Sequence, residues 1–109
     1  MHVRIAQFHV PSENWERAVS QIRDQVVPGI REVPGFVAGA FAGDREAQVA
    51  WGIVFWESRE AMLASEDAAA RIRAEAVEGA GLGFTGVERF EVIASEGLPT
   101  GRPPRPPAT

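Results

Sequence analysis

His2 and His9 are the only side chains in this 109-residue chain whose ordinary pKa lies near neutrality. There is no Cys, Tyr or Lys, so thiolate, phenolic and Schiff-base chemistry have no residue to run on. In V-R-I-A-Q-F-H-V (3–10), His9 and Gln7 stand two apart and share one face of a strand, near its end. There His9 could act as a pocket base or donate a hydrogen bond to a bound carbonyl, with Gln7 beside it, and these two are the candidate catalytic residues. The plainer reading of a single histidine is a rim residue, solvated or bonded to backbone. His2 and His9 have opposite parity and cannot ligate one metal together. The carboxylates show no metal-loop spacing, so no metal site is expected. Two histidines assemble no Ser-His-Asp set.

Trp51 and Trp56 could stack on a planar aromatic ligand, or simply pack. Their parity is opposite, so at most one faces a given cavity and the other faces away. Met62, Ile72 and Phe84 are candidates to line that cavity, or plain core. Arg4 and Arg89 are expected to meet across neighbouring strands, with Glu88 or Glu91 completing a solvated charge pair; an anion-binding role for them is a question for the structure. Gly81-Leu82-Gly83-Phe84-Thr85-Gly86 matches G-x-G-x-x-G literally, but it follows a helix and precedes a strand, the reverse of what a phosphate-binding turn needs. The motif is rejected.

A net charge of −4 argues against nucleic acid or an anionic membrane as partner. No apolar run is long enough for a membrane span, and no basic start precedes a signal-like stretch, so a cytoplasmic protein is expected. No cofactor is implied by any motif.

Strands and helices follow from periodicity. Val3 to Val10 reads as a strand ended by Pro11, with Ser12 as N-cap of a helix. Trp15, Ala18, Val19, Ile22, Val26, Ile30 and Val33 recur at helical steps; Pro28 should kink that helix or split off its last turn, and Pro34-Gly35 stops it. Phe36 to Ala42 and Ala47 to Trp56 form a hairpin around Gly43-Asp44-Arg45-Glu46. Ser58 caps a helix from Arg59 to about Glu78 whose inward stripe, Met62, Ala69, Ile72 and Ala76, is thin. A flexible connection, 79–86, leads to a last strand, Val87 to Ala94. One domain spans 1–96. The tail, 97–109, is Pro-rich and expected to be disordered, although R-P-P-R-P-P could in principle lie in a polyproline groove.

The order β-α-β-β-α-β predicts an α+β, ferredoxin-like fold with both helices on one face of a four-stranded antiparallel sheet. In A-Q-V-A-W-G-I-V-F-W (47–56) both parities are apolar, so the sheet needs cover on both faces. The second cover is expected to be another copy of the chain, burying about 1,200–2,000 Å² or more.

In a chain of this order, V-P-G-F-V-A-G (33–39) and V-F-W-E-S-R-E-A-M (54–62) resemble the antibiotic biosynthesis monooxygenase (ABM) domain of the dimeric α/β-barrel superfamily. The resemblance covers about residues 2–95. It implies a homodimer with a cavity in each subunit between sheet and helices. It also implies, for some members, oxidation of polycyclic aromatic substrates by O₂ without metal or flavin, and for others degradation of heme. In active members a His or aromatic residue often stands nine positions after the shared Trp, where this chain has Ser65. The heme-degrading branch has Asn on the first strand and Trp and His on the second helix; no His or Trp occurs from Arg59 to Glu78. The expected function is therefore cofactor-independent oxygenation of an apolar or aromatic metabolite, the alternative being a non-catalytic binding or accessory dimer with a side-chain-filled interior.

Overall fold

The structure is a computed structural model that describes residues 1–98. Four strands, β1 (His2–His9), β2 (Phe36–Asp44), β3 (Val49–Trp56) and β4 (Gly83–Glu91), form one sheet in the order β2-β3-β1-β4, every neighbouring pair antiparallel. The first crossover carries α1 (Trp15–Gln21) and α2 (Val27–Arg31); the second carries α3 (Arg59–Ala64) and α4 (Glu66–Ala80). This is the expected ferredoxin-like α+β arrangement. Among the described residues no helix is long and apolar enough to cross a membrane, and no group of His, Asp and Glu could hold a metal ion. Nearly all of the expected tail, 97–109, including its R-P-P-R-P-P run, lies outside the described residues.

Strand parity divides the molecule. On β3, Ala50, Val54 and Trp56 pack with Ala18, Ile30, Met62, Ala69 and Ala76, so the helices of both crossovers cover the same face. The alternate set looks the other way: Gln7 pairs with Trp51, Ile5 with Ile53, and Val3 with Phe55 and Phe90. Both sets are apolar, as the run 47–56 requires. Trp51 is 38% and Phe90 47% exposed in the single chain, so large rings stand open on this outer face.

Several local details differ from expectation. Pro28 does mark off a short last piece of the helix, standing in the first turn of α2, but the division is a π segment rather than a break in the backbone. The preceding turns widen into a π segment, Ile22–Val26, in which Val27 N–H reaches back to Ile22 O; this spares the proline its clash and its missing donor. Ser12 is not a side-chain cap: it opens a 3₁₀ turn, Ser12–Asn14, and its N–H donates to Gln48 Oε1 at 3.2 Å. Ser58 does cap, accepting from Ala61 N–H at 3.0 Å. The second helix is not continuous but bends at Ser65, which lies between α3 and α4. The last strand starts at Gly83 rather than Val87, because residues 83–86 pair with β1 through a bulge between Gln7 and Phe8. Gly81 is the left-handed C-cap of α4 (φ 66°), a stop signal rather than a phosphate turn. In Pro34-Gly35-Phe36, Gly35 has φ 88°, and a Cβ there would lie 2.5 Å from Ala61 Cβ. This glycine lets the entry to β2 close against α3.

Candidate functional site

Small residues keep the inner face from closing. Ala6 in β1, Gly39 in β2, Gly52 in β3, and Ala69 and Ala76 in α4 face the space between the layers with little or no side chain. A Cβ on Gly52 would come 3.1 Å from Phe41 Cε1, and one on Gly39 3.4 Å from Phe36 Cε2. The result is a cavity of about 470 Å³ between sheet and helices, inside the range of roughly 300–1,000 Å³ that holds drug-sized ligands. Ala6, Phe8, Gly52 and Val54 form its floor, and Ile22, Val26, Ile30 and Ile72 its roof. The π segment supplies two of these roof residues, Ile22 and Val26. Ala40, Ala42 and Trp51 border it beside Gly39, Gly43 and Gly52, where the sheet carries no side chain. Among the described residues the lining holds no carboxylate, imidazole or hydroxyl; its ionised groups are the guanidiniums of Arg4, Arg23 and Arg73.

Arg4 sits on the inner face of β1, only 4% exposed. Its Nη2 donates to Met62 O at 2.7 Å and Ser65 Oγ at 2.8 Å, and lies 3.1 Å from Glu66 Oε1. Ser65 Oγ in turn donates to Met62 O at 2.6 Å. This knot sits where α3 meets α4. The guanidinium also lies 5.3 Å from the centre of the Trp56 ring, a cation–π contact. Arg89, opposite Arg4 on β4, grips Glu66 in a bidentate pair at 2.6 and 2.9 Å. Arg4 and Arg89 thus meet across neighbouring strands, but their carboxylate is Glu66 from α4 rather than Glu88 or Glu91, and Arg4 is buried rather than solvated. The hydrogen bond from Arg89, helped by Arg4, holds the Glu66 carboxyl below the usual carboxylate range. Glu66 raises Arg89, whereas burial lowers Arg4. Arg73 on α4 lies over the Phe84 ring at 4.5 Å, and burial, then the charge of Arg4, lowers its pKa.

The expected site residues are not brought together. Gln7 and His9 are absent from the cavity lining; Gln7 pairs with Trp51 on the outer face, and His9 is exposed opposite Val49 and Gly83. Trp56 is wholly buried on the inner face and meets Phe36 edge-on at 6.3 Å, while Trp51 stands on the outer face; the two rings do point apart, as their parity requires. Ile72 lines the cavity. Met62 is core, packed with Trp56 behind the cavity, and Phe84 is 42% exposed, 5.8 Å from Phe8. The residue that sequence reasoning underrated is Arg4. Its signal was Ser65, a hydroxyl three residues after Met62 and four before Ala69, on the buried stripe, where it needs a partner.

No protein-family model and no curated protein matches the chain. Solved structures do. The chain is similar to an antibiotic biosynthesis monooxygenase (18% identity, 86% of this chain and 100% of that one, TM-score 0.63). It is similar to a Streptomyces coelicolor monooxygenase solved with the ligand Nanaomycin D (20%, 87% and 89%, TM-score 0.65). It also resembles a variant of MhuD solved with two manganese protoporphyrin IX bound per active site (24%, 89% and 99%, TM-score 0.67). At these identities the likeness is one of fold.

Proposed function

We propose, from the premise that this chain has the fold of the antibiotic biosynthesis monooxygenase domain proteins, that it binds a planar apolar metabolite between sheet and helices and oxygenates it without metal or flavin. The carrying observation is the open, apolar cavity of about 470 Å³, which stands against a side-chain-filled interior. Ile72 and the floor over Gly52 would hold the ring system, with Trp56 and Met62 supporting the wall from behind. Where the lining offers no proton acceptor, the substrate must ionise readily by itself and be its own reductant. A benzylic CH₂ beside a carbonyl meets both needs: R₂CH₂ + O₂ gives R₂C=O + H₂O, the substrate carbon being oxidised and O₂ reduced. The site supplies orientation and an apolar space.

A tricyclic ketone with such a CH₂, anthrone, tests this under ¹⁸O₂ in the presence of a chelator. The expected result is ¹⁸O in the new carbonyl, formed well above the rate in buffer. Anthrone that binds but oxidises no faster than in buffer would leave a binding protein, the second reading, favoured by the absence of any acid–base side chain from the lining.

The outer face carrying Trp51, Ile53, Phe55 and Phe90 we assign to a second copy of the chain, since apolar patches of that kind mark interfaces. Light scattering should give twice the 11.8 kDa chain mass, and Ile53→Arg should halve it. A well-folded wild-type species at the single-chain mass would contradict this.

A further inference from the structure

Arg4 and Arg73, which line the cavity, and Arg89 beside them surround a single carboxylate, Glu66, so this cluster at the cavity's edge carries two more positive charges than negative ones. Glu66 is already engaged by Arg4 and by both arms of Arg89. Three buried nitrogens have no hydrogen-bond partner among the described residues, Arg4 Nε, Trp56 Nε1 and His2 Nδ1; of these only Arg4 belongs to a residue that lines the cavity, and its guanidinium stacks over the Trp56 ring. Arg73, half-buried, borders the cavity with an aromatic face as its neighbour and no ion pair among the described residues. A cation withdrawn from water without a counter-ion is costly, and apart from Arg23 the rest of the lining is apolar.

We infer that the cavity's ligand is an apolar acid: a ring system lying over Gly52 and Ile72, with a carboxylate directed at Arg73 and at the buried charge of Arg4. Planar guanidinium and carboxylate match in a two-point pair, which fixes the ligand's orientation as well as its charge. This deepens the reading of the cavity as an apolar ligand site and rests on it. Arg73 is the recognition residue, because Arg4 is already tied to Ser65, Met62 and Glu66.

Matched probes separate the two ideas. Calorimetric titration with naphthalene-2-carboxylate and anthraquinone-2-carboxylate, each against its neutral carboxamide, measures the preference for the anion. The expected result is at least tenfold tighter binding of each acid than of its amide. That ratio should fall to about one in Arg73→Gln and be largely kept in Arg73→Lys, with circular dichroism confirming that both variants are folded. Equal affinity for acid and amide in the wild-type protein would overturn the carboxylate inference and leave the apolar site standing. An unchanged preference in folded Arg73→Gln would overturn the role of Arg73. No binding of any of the four probes would remove the apolar site itself, and the inference with it.

Discussion

Replacing Trp56 by Ala is expected to lower the free energy of unfolding by about 3–5 kcal/mol, the range for deleting a large buried ring. Trp56 has no exposed surface and joins Val54, Ile30, Met62 and Ala69 in one core cluster. It also carries the Phe36 ring at its edge and the Arg4 guanidinium over its face. Removing it opens a void that the alanine-rich α4 cannot fill and strips a buried cation of its π partner. Chemical denaturation of both proteins measures the difference. The same change at Trp51, on the outer face, should cost the folded single chain far less, because that ring is 38% exposed within it.

Glu66→Gln should be the next most damaging change, at about 3 kcal/mol. This is the low end of the range for breaking a buried ion pair, because Glu66 is itself 27% exposed. The variant leaves Arg4 buried among like charges, with Arg89 and Arg73 nearby and nothing negative between them. Glutamine keeps one acceptor oxygen but not the charge. The pH dependence follows with a definite sign. Glu66 has a folded pKa below its ordinary value near 4.5, so its contribution is complete above that value and is lost as pH falls through the lower, folded one. Unfolding free energies measured from pH 7 down to pH 3 should fall less steeply in Glu66→Gln than in the wild-type protein. Parallel curves would contradict the assignment.

Much of this architecture was legible because period-2 parity survives into the structure. The run 47–56 has two apolar sets, and the fold puts one under the helices and leaves the other bare, with Trp51 and Trp56 on opposite sides. Chemistry was harder to read. His9 and Gln7 drew attention as the residue types that do chemistry, yet their parity is that of Val3 and Ile5, the outer set. Arg4, Ala6 and Phe8 are the inner set, and by charge alone a cation belongs in solvent. Residues about 60 positions away, Met62, Ser65 and Glu66, supply the partners that permit its burial, and such pairing leaves no periodic trace. The early start of β4 was hidden for a related reason. Gly83 and Gly86 read as loop by propensity, while pairing to β1 decides otherwise. The π segment before Pro28 depends on the helix's freedom to widen, which composition does not encode.

The central claim is that the ligand enters between sheet and helices rather than on the outer face. Methyl NMR decides it, because methyl groups alternate between the two faces. On titration with anthraquinone, the methyls of Ala6, Val54, Ala69 and Ile72 should shift, and those of Ile5, Ile53 and Ala38 should stay in place. Movement confined to Ile5, Ile53 and Ala38, or no movement at saturating probe, would contradict the account.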